Sequence, residues 1–127
     1  LADDLSRHIA QVRFRLPSRS VEARPKPGRA GMIWAGFLDP DGQCAALHQC
    51  VEEIAAREGI ASEQRAFDPH VTLVRSRRPK RIPHDVLSSA STCIHSMSVL
   101  GVTVYTSTLT SRGAQYQKMA YVPLRID

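Results

Sequence analysis

Leu1, Leu5, Ile9 and Val12 recur at helical spacing, which predicts an amphipathic helix at the start of the chain. Val12, Phe14 and Leu16 then alternate with Arg13 and Arg15, the period of a strand with one polar face, and Pro17 is expected to halt it. The stretch from Ser18 to Arg29, with Pro25, Pro27 and Gly28, reads as a basic exposed loop. Gly31 to Leu38 is nearly continuous in apolar residues and predicts a central strand buried on both faces, with Trp34 in the core. Asp39-Pro40-Asp41-Gly42 is a turn, and Leu47, Val51, Ile54 and Ala55 then mark one face of a helix from Gln43 to Glu58 that Gly59 can end. Phe67 to Val74 predicts another strand, followed by a basic turn SRRPKR and a short helix from Pro83 to Ser91. Two β-prone segments, 94–109 and 114–126, close the chain around Ser111-Arg112-Gly113, which suits a hairpin turn. This order mixes crossovers with hairpins and implies an α+β fold of sheets and helices.

Composition narrows the setting. A chain of 127 residues, 43% hydrophobic, fits one domain spanning 1–127. Seventeen Lys and Arg against twelve Asp and Glu leave a formal charge of +5, which favours polyanionic partners. No apolar run is long enough for a transmembrane helix, so no membrane partner is expected. Three cysteines without a C-x-x-C pair argue against a disulfide framework and a zinc knuckle, and read as reduced thiols of a cytoplasmic protein. No carboxylate cluster accompanies the histidines beyond Asp68, so neither a metal nor another cofactor is expected.

The stretch that carries chemistry is Phe67-Asp68-Pro69-His70-Val71-Thr72-Leu73-Val74-Arg75. On a strand His70 and Thr72 project together, about 7 Å apart, while Val71 and Leu73 face the other side, where apolar packing can hold the strand rigid. The pair offers an imidazole that moves a proton near neutral pH and a hydroxyl that donates to a phosphoryl oxygen, a combination suited to phosphoester chemistry. A lone H-x-T triplet also arises by chance, with its histidine serving structure alone. Arg75 follows closely enough to neutralise a phosphate, but strict alternation turns it to the opposite face, so this role requires a bulge or strand end near Val74. Arg75, Arg77, Arg78, Lys80 and Arg81 could track an RNA backbone or form a solvated turn. Phe67 and Tyr116 could stack on a nucleobase, or pack as strand aromatics commonly do.

FDPHVTLVRSRRP resembles the second signature of the 2H phosphoesterases, specifically the LigT-like RNA 2',3'-cyclic phosphodiesterases, also called 2'-5' RNA ligases. The likeness extends over GMIWAGF, the helix from Gln43 to Glu58 and the closing YTSTLTSRGAQYQKMAYVPL. The resemblance implies a bilobed α+β fold of antiparallel sheets flanked by helices, in which two H-x-T motifs face each other across a cleft. It implies that the two histidines give and take protons on a cyclic phosphodiester while the threonines hold the phosphate, with no metal or cofactor. His70 and Thr72 match the second motif, which makes His70 the group that activates water, and Arg75 matches a basic position after it. The expected partner is RNA or an oligonucleotide with a cyclic phosphate end.

No second H-x-T exists here, because His8, His48, His84 and His95 are followed two residues later by Ala10, Cys50, Val86 and Met97. Since the chain opens on Leu1 rather than Met, the expectation is truncation of an N-terminal portion carrying the first motif. On that reading the fragment could be inactive alone, and could self-associate or bind a cleaved N-terminal piece. Two alternatives stand beside the RNA reading: a phosphodiesterase of small cyclic nucleotides or ADP-ribose cyclic phosphate, and a non-catalytic RNA-binding module.

Overall fold

In the computed structural model, which describes residues 1–126, the elements run α1 (Ala2–His8), β1 (Phe14–Lys26), β2 (Arg29–Phe37), α2 (Gln43–Arg57), β3 (His70–Lys80), α3 (His84–Ser91), β4 (Ser96–Val99), β5 (Gly101–Thr110) and β6 (Gly113–Pro123). They fall into two compact units. The first holds α1, nearly all of α2 and the β5–β6 hairpin; the second holds the four-stranded sheet and α3.

In the first unit α1 packs on β6, and Leu5, Leu47, Ile54, Val122 and Leu124 are buried. The antiparallel hairpin closes on Thr110 and Gly113, and Gly113 adopts φ +102°, a conformation that a side chain disfavours. The predicted turn at 111–113 is thus in place. The β-prone segment 94–109 is split at Leu100, with β4 joining the other unit's sheet and β5 forming the hairpin.

The second unit is built on a sheet in the order β3-β2-β1-β4, with β1–β2 and β2–β3 antiparallel. β2 is central, as its apolar run predicts. It is not buried on both faces, however: Ala35, Gly36 and Phe37 are buried while Gly31 to Trp34 are only partly covered. One face carries Val21, Ala23 and Ala30, which pack with Leu87 of α3 and with Ile33, Ile82, Ala90 and Ile94. The other face is polar and holds the candidate site.

Two expected loops are strands. β1 runs straight through Pro17 and most of the 18–29 segment, and only Pro27 and Gly28 are left between it and β2. The basic segment 76–81 likewise continues β3 as far as Lys80. Each proline in these strands lies beside a break in the ladder: Pro17 next to the shift between Ser18 and Ser20, Pro25 at the shift after Arg24, and Pro79 in the irregular stretch between Arg75 and Lys80. At such breaks the missing N–H leaves no ladder bond unmade.

Candidate functional site

Cross-strand partners share a face, so the register assigns each side chain a side. Gly36 pairs with His70, Trp34 with Thr72, and Glu22 with Trp34. His70, Thr72, Trp34 and Glu22 therefore project from the polar face. On β3, Thr72 and Val74 are two apart, yet they pair with the adjacent residues Trp34 and Ile33, which makes Leu73 the extra residue of a β-bulge. The bulge reverses the alternation. Arg75, paired with Met32, returns to the face of His70 and Thr72, and its guanidinium donates to the Met32 sulfur at 3.3 Å.

The same device operates on β1, where Ser18 pairs with Phe37 and Ser20 with Gly36, leaving Arg19 as the extra residue. Its guanidinium lies where a side chain at Gly36 would stand, so a Cβ there would collide with it. From that position Arg19 reaches the Asp68 carboxylate at 3.1 Å and Glu22 at 2.6 Å, and Arg24 donates to Glu22 at 3.1 Å and to Asp68 at 3.5 Å. Burial pushes the Glu22 carboxyl up, but the hydrogen bonds from Arg19 and Arg24 outweigh it and hold the group below the usual range. Hydrogen bonds to Glu22 and then Asp68 raise Arg19 in turn.

His70 is exposed, and its Nδ1 lies 2.7 Å from the backbone carbonyl of Asp68. A carbonyl only accepts, so Nδ1 carries the proton and Nε2 keeps its lone pair in the neutral ring. The imidazole stacks on Trp34, with ring centroids 3.6 Å apart and planes 11° from parallel. Trp34 is thus a polar-face residue beside His70 rather than the core residue expected. Val71 and Leu73 do not pack as expected either, being 40% and 47% exposed. The strand is held instead by its ladder to β2 and by the contacts around Asp68 and His70.

The sequence reading passed over Arg19, Glu22, Arg24 and Gly36. One signal was available: two arginines flanking a glutamate in a segment taken for loop.

Phe67, 42% exposed, precedes β3 rather than lying on it. Tyr116, 66% exposed, belongs to the hairpin of the first unit, edge-on to Tyr105 at 6.2 Å between centroids. A cavity of about 660 Å³ in the second unit lies along β1 and α3 between Glu22, Arg24, His84 and Ser88, and neither His70 nor Thr72 lines it. Among the described residues no three His, Cys, Asp or Glu side chains gather to hold a metal ion, Cys44, Cys50 and Cys93 are free thiols, and no helix is long and apolar enough to cross a membrane.

Comparison with known proteins bears on the chain and its fold. The chain is 27% identical over 125 residues to an RNA 2',3'-cyclic phosphodiesterase of Aeropyrum pernix, a match covering 94% of this chain and 71% of that protein. Its fold superposes on a protein of Thermus thermophilus with a TM-score of 0.68 at 22% identity, covering 98% of this chain and 68% of the other. E. coli LigT, solved in complex with 3'-AMP, gives a TM-score of 0.65 at 23% identity, covering 95% and 64% respectively. The chain therefore spans about two thirds of the length of these solved structures. The family described as LigT like Phosphoesterase matches residues 38–116, which take in α2, the H-x-T strand and most of the closing hairpin. With more than half of its length so matched and its α+β fold shared, the chain belongs to the LigT-like phosphoesterase family.

Proposed function

We propose that the chain supplies the water-activating half of an RNA 2',3'-cyclic phosphodiesterase, which hydrolyses a terminal 2',3'-cyclic phosphate to a 2'-phosphate. The observation that carries this reading is the bulge at Leu73, which sets Arg75 on one face with His70 and Thr72. Nε2 of His70 takes a proton from water as the water oxygen attacks phosphorus; the P–O3' bond breaks, and the electron pair leaves with O3'. Thr72 donates to a phosphoryl oxygen and Arg75 offsets its charge. No step is assigned to a metal. With a 5'-hydroxyl attacking in place of water, the same P–O3' bond breaks and the same groups serve 2'-5' joining.

O3' must also receive a proton on departure, and one imidazole cannot stand on both sides of an in-line displacement. That acid is assigned to a second histidine outside the single H-x-T of this chain, carried by an N-terminal segment or by a second copy. Phe67, just ahead of the H-x-T strand, offers a ring face for a nucleobase, and Tyr116 offers one of its own on the other unit. Ten Lys and Arg against five Asp and Glu in the second unit favour an oligonucleotide over a small cyclic nucleotide or ADP-ribose cyclic phosphate. Three free thiols fit the reducing cytoplasm.

The test is hydrolysis of an oligoribonucleotide ending in a 2',3'-cyclic phosphate, by this chain and by a version extended upstream. The extended protein should turn over faster by roughly 10²–10⁴, the usual contribution of one acid or base. His70→Ala should abolish most of that turnover while leaving RNA binding in place. Equal turnover by His70→Ala would remove His70 from the chemistry, and RNA binding without turnover by either version would establish a binding module instead.

A further inference from the structure

We infer that Trp34 and Arg24 are positioning residues that lock His70 in the tautomer and ring plane a general base needs. The inference rests on the proposed role of His70 as base, but its geometry stands independently. Two contacts define the imidazole: the indole face of Trp34 sets its plane, and the Asp68 carbonyl takes the Nδ1 proton. Arg24 touches the first support and the side chain of the residue that supplies the second. Its guanidinium lies 4.6 Å from the Trp34 ring centroid and reaches the Asp68 carboxylate, which Arg19 grips from a second direction. A single side chain on β1 therefore holds the indole under a ring on β3 and anchors the side chain of the residue whose carbonyl takes that ring's proton, across the intervening strand.

The indole itself is an unusual choice at this position. Trp34 Nε1 is buried and has no hydrogen-bond partner among the described residues. A donor left so carries a desolvation cost that phenylalanine would avoid. What the larger ring adds is area for two cargoes at once, a flat imidazole and a guanidinium. Local rules of this kind are broken most often where function demands it.

The consequence is read without catalysis. In a long-range ¹H–¹⁵N spectrum taken above the imidazole titration, His70 of the wild-type chain should show one tautomer, protonated at Nδ1. Arg24→Gln and Trp34→Leu should each move its nitrogen shifts toward the averaged values of a free ring. Arg24→Lys keeps the charge but loses the planar fork, so it should restore the locked tautomer only in part. Should Trp34→Leu fail to fold, Trp34→Phe decides: a smaller ring that still stacks predicts an intermediate shift. Unchanged His70 nitrogens in Arg24→Gln and in the folded Trp34 variant would overturn the inference.

In the upstream-extended protein the same substitutions should lower kcat by up to about 10²-fold with KM nearly constant, the signature of a misplaced reacting group. If the tautomer shifts as expected but His70→Ala leaves turnover intact, the catalytic reading fails and the positioning stands. If turnover requires His70 but its tautomer ignores Trp34 and Arg24, the positioning fails alone.

Discussion

Glu22 sits between two guanidiniums with less than a third of its side chain exposed, and its depressed pKa makes the pair of arginines a pH-dependent brace. The sign follows from linkage: a carboxyl held low in the folded state stabilises that state above its unfolded value, near 4.3, and the contribution vanishes as pH falls through the folded value. Wild type should therefore melt above Glu22→Gln at pH 7, and the two should converge in acid; a gap independent of pH would refute the brace. Gly36 is the matching case of absence. Gly36→Ala should displace the Arg19 guanidinium, the free-swinging end of a partly exposed side chain, and cost no more than about 1 kcal/mol, the worth of the exposed ion pairs lost. Denaturant titration checks it, and Arg19→Ala made alongside should remove most of the added cost.

Strand β1 carries an extra residue at Arg19 and β3 one at Leu73, and each insertion decides which side chains share the face of His70. Arg75→Met should raise KM for a cyclic-phosphate substrate about 10- to 100-fold and leave kcat almost untouched, since the lost contact is a charge-assisted one of about 1.5–3 kcal/mol. A fall in kcat alone would place Arg75 elsewhere in the chemistry. Much of the architecture was readable from periodicity: α2 from its apolar face, β2 from its unbroken run, the hairpin from Ser111-Arg112-Gly113, and His70 with Thr72 from parity. The arginine's side was not, because alternation is a rule of regular ladders and a bulge is settled by pairing with a distant strand. The Ser18–Arg29 stretch was misread for a related reason. Pro17 and Pro25 look like stops locally, and only the register shows that their missing amides fall at breaks. Trp34 was taken for core because hydrophobicity alone cannot report which face an indole occupies.

For the molecule as a whole, the net charge is confined to one unit. The four-stranded unit carries ten basic and five acidic residues, and the hairpin unit seven of each. Seven of those ten, Lys26, Arg29, Arg75, Arg77, Arg78, Lys80 and Arg81, belong to the β1–β2 turn region and to β3 and its exit. Single-stranded RNA affinity should thus fall with salt at a log–log slope near −0.7 per phosphate contacted, and Arg77→Ala with Arg78→Ala should flatten it by about 1.4 if both make contact. A slope unmoved by that pair would confine the footprint to the residues nearest His70. One last property follows from the stack on the polar face. The chain has a single tryptophan, and it touches His70. Indole emission from the entire polypeptide consequently arises at one spot, so that protonation of the neighbouring ring or arrival of a nucleotide can be watched in unlabelled protein by its intrinsic fluorescence.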